Sequence, residues 1–271
     1  MTSSETSPSL GTFSWFGNEL PLSERLRLIR QSGFSQTFLW MGSEEPLVEA
    51  GRAEEMPGMA ADAGLAVDHV HASYDNANAF WSDSPTERDA LVDEYLKLIE
   101  YCSRHSISCI VLHVTKGPNP PPSRAEGVEI FRRLGEEAAS SGIRLALENT
   151  RVTSRVDFIL NELPLESLGL CYDSSHDTLY SDTPGVVLGK WAHRLFTTHF
   201  SDTDGRADVH WLPMKGIVDW DAVSSAYPTS HTGPVMIEAV PEDAVQPPAE
   251  FLADAYHKAV DLRERLLAGH E

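Results

Sequence analysis

At 271 residues with a hydrophobic fraction of 41%, the chain has ample apolar material for a folded core, and length alone leaves one large domain or two small ones open. Forty-one acids against 21 bases give a formal charge of −20, a field that repels phosphate backbones and disfavours general nucleic-acid binding. No run of 18 apolar residues occurs, and "MTSSETSPSL" lacks the basic start and apolar stretch of a signal peptide, so a soluble cytoplasmic protein without membrane contact is expected.

Residues 1–9 read as a flexible tail and 10–271 as one domain of alternating strands and helices. "LGTFSWF" (10–16) is the first strand candidate, followed by a helical stripe of Leu22, Leu26 and Ile29. "QTFLWM" (36–41) and "AVDHVHA" (66–72) come next. In "SPTERDALVDEYLKLIEYC", Ser84 caps, Pro85 suits the first helical position, Glu87 completes a capping box, and Leu91, Tyr95, Leu98 and Cys102 share one face. "CIVLHV" (109–114), "RLALE" (144–148), "LGLCYD" (168–173), "LFTTHF" (195–200) and "PVMIEAV" (234–240) complete eight strands, and Leu252, Tyr256, Ala259, Leu262 and Leu266 stripe the last helix. Gly33, Gly64 and Gly142 fall just past helical runs, where a left-handed residue is wanted. Most of the strands are short and apolar along their length, as parallel strands buried on both faces should be. Eight βα units in about 250 residues favour a closed (β/α)8 TIM barrel over an open doubly wound sheet, and no GxGxxG follows the first strand. Cys102, Cys109 and Cys171, an odd set without CxxC spacing, read as reduced core thiols.

In such a barrel all strand C-termini converge on one face. Six consecutive strands end on a metal-capable side chain: His71, His113, Glu148, Asp173 with His176 three residues later, His199 and Glu238. The seventh connection, "FTTHFSDTDGRADVHW", adds Asp208 and His210. Gathering Glu148, Asp173 and Glu238 in one mouth without a cation costs several kcal/mol in desolvation and repulsion. Mixed carboxylate and imidazole donors suit Mn²⁺, Co²⁺, Zn²⁺ or Fe²⁺ better than Ca²⁺.

"VHASYDNANAF", "IVLHVTKG", "LALENT", "LGLCYDSSHD", "HFSDTDGRADVHWLPMKGIVDW" and "VMIEAV", in that order, resemble the xylose-isomerase-like TIM-barrel superfamily of sugar isomerases, epimerases and AP endonuclease family 2 enzymes. Similarity to the ketose 3-epimerases implies one divalent metal (Mn, Co or Zn) on Glu148, Asp173, His199 and Glu238, with Glu148 and Glu238 as the acid/base pair acting on a small-molecule sugar through an enediolate. Similarity to endonuclease IV implies that His71, His113, His176, Asp208 and His210 join those four in a three-zinc cluster for abasic DNA. "WLPMKG" departs from the glycine-rich turn common after the DxH pair, and the acidic charge offers only Lys116, Arg124, Arg151 and Arg155 as a local basic patch, so the isomerase reading is preferred. A metal-holding barrel that binds a small molecule without turning it over is the third reading, and homo-oligomerisation is left open.

His176 and, more weakly, Arg206 are candidates for holding substrate hydroxyls. Trp15 and Trp40 form an apolar wall against a sugar ring or plug the barrel, while Tyr74 and Trp81 lie in a connection read as a lid. Asp202 is read as solvating its loop or as orienting His199. His69, His105, His193, His231, His257 and His270 are given no role.

Overall fold

The computed structural model of the protein describes residues 7–268, so His270 and most of the expected tail lie outside it. Eight parallel strands run β1 (Leu10–Phe13), β2 (Gln36–Met41), β3 (Ala66–Ala72), β4 (Cys109–His113), β5 (Arg144–Glu148), β6 (Leu168–Asp173), β7 (Leu195–His199) and β8 (Val235–Ile237). They pair in the order β7-β6-β5-β4-β3-β2-β1-β8. The ends meet through a bridge between Phe200 and Ile237, with Phe200 N donating to Met236 O (2.9 Å) and Glu238 N to Phe200 O (3.1 Å). The (β/α)8 TIM barrel expected from the sequence is the observed architecture. Ser9 already belongs to it, since its carbonyl accepts from Val235 N at 2.9 Å.

Every strand is followed by a helix that packs on the outside. The strongest sequence signal, the helix Pro85–Arg104, forms with Ser84 as its N-cap, whose side chain accepts from Glu87 N. Its capping box is only half made: Glu87 accepts from Ser82 Oγ instead of reaching back to Ser84. Gly33, Gly64 and Gly142 take φ of 116°, 78° and 71° and end their helices as expected. The first and last strands are shorter than read: the chain leaves β1 at Ser14, whose carbonyl accepts from Arg25, and β8 at Glu238. No described helix is long and apolar enough to cross a membrane.

Alternation divides the strand side chains between two cores. Leu39, Val70, Ile110, Leu112, Leu145, Leu147, Leu170 and Ile237 join the helices in the outer core. Phe13, Phe38, Trp40 and Met236 form one inner cluster, and Cys109, Val111, Ala146 and Cys171 another. Burying each Leu, Ile or Phe stabilises by roughly 1.5–3 kcal/mol. The inner layer is tight enough that a Cβ on Gly11 would sit 2.3 Å from Met236 Sδ. All three cysteines are buried and unpaired, and burial pushes each thiol up.

Candidate functional site

Strand register sets the site. His113 is the partner of Glu148 across β4 and β5, and Asp173 is the partner of His199 across β6 and β7. Side chains far apart in sequence thereby share one end of the barrel.

Glu148 sits at the centre, fully buried. Its Oε2 is 3.1 Å from His71 Nε2 and 2.9 Å from His113 Nε2, and its Oε1 is 3.3 Å from His199 Nδ1 and 3.4 Å from His176 Nδ1. Burial alone would raise its pKa, but the imidazoles of His113 and His199 outweigh that and hold it well below the usual range. Glu238 faces the same His199 Nδ1 at 3.1 Å. It too is held down, to about 2, by His199 and His210 against the cost of burial. Glu148, Asp173, His199 and Glu238 each offer a donor atom within 4.8 Å of the others.

Asp173 caps the short helix Ser174–Tyr180: its Oδ1 accepts from His176 N (2.7 Å) and Ser175 Oγ (2.9 Å). Its Oδ2 is buried without a hydrogen-bond partner, and burial pushes the acid up to about 6. An orphaned carboxylate oxygen among three other donors is where a cation fits. His176, Asp208 and His210 make a second group, with Asp208 Oδ2 2.9 Å from His176 Nε2 and Oδ1 3.2 Å from His210 Nε2. Burial opposes the charge on His210, yet Asp208 and Glu238 raise it to about 9. All nine ligand candidates thus meet, seven of them lining a cavity of about 490 Å³ above the buried Asp173 and His199.

The seventh connection is shaped by Asp202, which accepts from Val218 N and Trp220 Nε1, both at 3.0 Å, and pairs its backbone with Trp211. Asp202 therefore orders the loop and does not orient His199. Its role in the loop is more than solvation. In "WLPMKG" Met214 adopts φ 67°, and Gly216 is required because a Cβ there would lie 2.1 Å from Thr203 O.

Residues 26–255 match the family described as xylose isomerase-like TIM barrel. The chain belongs to that family. The curated protein y4fM of Sinorhizobium fredii, itself uncharacterized, is 31% identical over 105 residues, 38% of this chain and 34% of that one, so the match spans about a third of that relative. Among solved structures, a xylose isomerase-like TIM barrel/4-hydroxyphenylpyruvate dioxygenase fusion protein superposes with TM-score 0.78 at 19% identity, over 95% of this chain and 43% of the fusion. D-psicose 3-epimerase from Clostridium cellulolyticum H10, solved with D-tagatose, gives 0.75 at 14% identity over 96% and 99% of the two chains. The IolI protein with a bound zinc gives 0.76 at 17% identity over 96% and 99%. At these identities the likeness establishes the fold.

In this xylose isomerase-like barrel the remaining candidates separate. Trp15 and Trp40 both line the cavity. Trp40 donates to Glu44 at 3.0 Å and meets the His71 ring edge-on, so its ring is held between the inner cluster and the cavity. Tyr74 stacks on His113 with centroids 4.7 Å apart. Trp81, expected in a lid, is core: it is fully buried, donates to Val114 O and packs on Phe131. Arg206 is exposed on the seventh connection and does not line the cavity. Of the basic patch, Lys116 is paired with Asp75 and Arg124 with Asp83, Arg155 lies on Trp81, and Arg151 lines the cavity over Tyr180. Sequence reasoning missed Glu44, Thr150 and, above all, His69, which lies inside the barrel 2.9 Å from His199. The signal was available: in "HVHA" His69 is two residues from His71 and so shares its inward face.

Proposed function

We propose that the protein is a divalent-cation-dependent isomerase or epimerase of a sugar or sugar derivative. The observation that carries this reading is the pair Glu148, at the end of β5, and Glu238, just past β8, whose carboxylates face one imidazole at 3.3 and 3.1 Å and line an open, aromatic-walled cavity. Glu148, Asp173, His199 and Glu238 would hold one cation, and His176, Asp208 and His210 offer a second position. When bound, the cation would draw charge from a sugar carbonyl and acidify the adjacent C–H.

The chain's own residues do the rest. Glu238, at the cavity wall, takes the proton from carbon as its carboxylate becomes the acid. If Glu148 passes a proton from His176, 3.4 Å from its Oε1, to the other face of that carbon, the centre is epimerised and Glu238 releases its proton to solvent; if Glu238 returns its own proton to the neighbouring carbon while a hydroxyl proton moves between the two oxygens, aldose and ketose exchange. His176, fixed by Asp208, would hydrogen-bond substrate hydroxyls. Trp15 and Trp40 cover the apolar face of the sugar and exclude water. The sugar 3-epimerases among the structural neighbours support the same reading.

Eight donors in three metal-capable groups, with His113 beside Glu148, also suit a multi-zinc phosphodiesterase, the one observation in favour of an endonuclease-like alternative. Against it, two of the four nearby cations are tied to acids and the chain carries −20 overall. The test is incubation of protein loaded with Mn²⁺, Co²⁺ or Zn²⁺ in D₂O with a panel of ketoses and keto-sugars, read by proton NMR. Deuterium at the carbon beside the carbonyl, lost in E238Q, is expected. Cleavage of an abasic duplex without any such exchange would overturn the proposal in favour of the nuclease; cation-dependent sugar binding without exchange would make the protein a binder.

A further inference from the structure

Beneath the site, β3 and β7 each carry one extra residue. Against β2 the register jumps from Val67 to His69, leaving Asp68 unpaired, and against β6 it jumps from Leu195 to Thr197, leaving Phe196 unpaired. Bulges of this kind re-aim side chains, and here they bring Asp68 and Thr197 together across strands that are not neighbours. Thr197 Oγ donates to Asp68 Oδ2 at 2.8 Å. The same Oδ2 is 2.8 Å from His69 Nδ1, and His69 Nε2 is 2.9 Å from His199 Nε2. Both imidazoles stack on Phe38, with centroids 4.4 and 4.7 Å away, so neither ring is free to turn.

We infer that His69, held by Asp68 and Thr197, is a positioning residue that fixes the tautomer and aim of His199 toward the cation site. One arrangement of hydrogens lets His199 bind a cation through Nδ1. A carboxylate can only accept, so His69 Nδ1 carries the hydrogen shared with Asp68. With a cation on His199 Nδ1, that ring's one hydrogen sits on Nε2, 2.9 Å from His69 Nε2, which meets it with a lone pair. His199 must donate its Nε2 hydrogen to that lone pair, which leaves His199 Nδ1, the atom facing Glu148 and Glu238, as the nitrogen that binds. A ligating histidine usually donates its other N–H straight to a carboxylate or carbonyl. Here a second imidazole stands between, extending the chain Asp68–His69–His199 to the barrel floor.

The inference rests on His199 being a cation ligand, and the experiment separates the two ideas. Mn²⁺ and Zn²⁺ affinities of the stripped protein are measured by calorimetry for wild type, H69F and H69Q, with the melting point in EDTA recorded for each. H69F, which keeps the ring stack and removes the acceptor, is expected to lose roughly 10–100-fold in affinity. H69Q, whose amide oxygen can accept from His199, recovers most of that loss. An H69F protein that folds and binds as tightly as wild type overturns the relay alone, whereas a wild type that takes up no cation removes the site reading itself. Imidazole ¹⁵N NMR of the cation-free wild type needs no variant to fold: a coupling across Nε2–H···Nε2, with the hydrogen on His199, is expected, and a hydrogen on His69 Nε2 would overturn the relay.

Discussion

Replacing Glu148 with glutamine tests the electrostatics at the centre of the site. The carboxylate lies 2.9 Å from His113, 3.1 Å from His71 and 3.3 Å from His199. At 3.3 Å and an effective dielectric near 20, one ion pair is worth about 5 kcal/mol before desolvation. Removing one partner of a buried pair costs about 3–5 kcal/mol because the other is left uncompensated. At roughly 2–4 °C per kcal/mol for a chain of this size, E148Q should melt roughly 6–20 °C below wild type in EDTA near pH 6. The sign with pH follows from the two partners. Glu148 has a depressed pKa, so its contribution is present above the ordinary carboxylate value and lost as pH falls through the folded one. Burial opposes the charge on His199, yet the Glu238 and Glu148 carboxylates raise it, so its contribution is full below the ordinary imidazole value and lost as pH rises through the folded one. The gap between wild type and E148Q should therefore be widest around pH 5–6.5 and narrow toward alkaline pH. Calorimetric melts from pH 5 to 9 read it directly, and a gap that is absent or widens with pH would refute the reasoning.

Cation affinity should rise with pH up to about 9, because His210 is raised to about 9 and His176 and His199 are raised as well, so uptake must expel protons. Titration in two buffers of different ionisation enthalpy counts those protons, and a pH-independent constant would contradict the geometry. Gly11→Ala should destabilise by about 1–3 kcal/mol in urea, since the new methyl enters the space of Met236. Arg206→Ala should leave turnover and stability unchanged, within about 0.5 kcal/mol, because the side chain is exposed and away from the cavity.

The barrel was legible because most of its strands are apolar along their length while its helices repeat every three to four residues, so the period separates them. The site was legible because a parallel barrel sends every strand's last residue to one face, and a polar residue in that place stands out against Val, Leu and Ile. What stayed hidden depends on register and on side chains crossing the barrel. Asp68 reads as an ordinary polar residue of an alternating strand until the bulge that turns it inward is known. Trp81 reads like a lid aromatic, yet its indole N–H goes to Val114 O and seals it under Gly127, whose missing Cβ makes room for the ring. Arg206 sits two residues from Asp208, but a turn around Asp204, which accepts from the Arg206 and Ala207 amides, sends it to solvent.

The ring is thinnest where β8, only three residues long, meets the end of β7. His199 and Glu238 face each other across that join, so a shared ion would act as a clasp on the one hoop of the barrel that few main-chain bonds hold shut. Amide exchange at Val235–Ile237 would then slow on loading the site, making the backbone of the shortest strand a gauge of occupancy that needs no substrate.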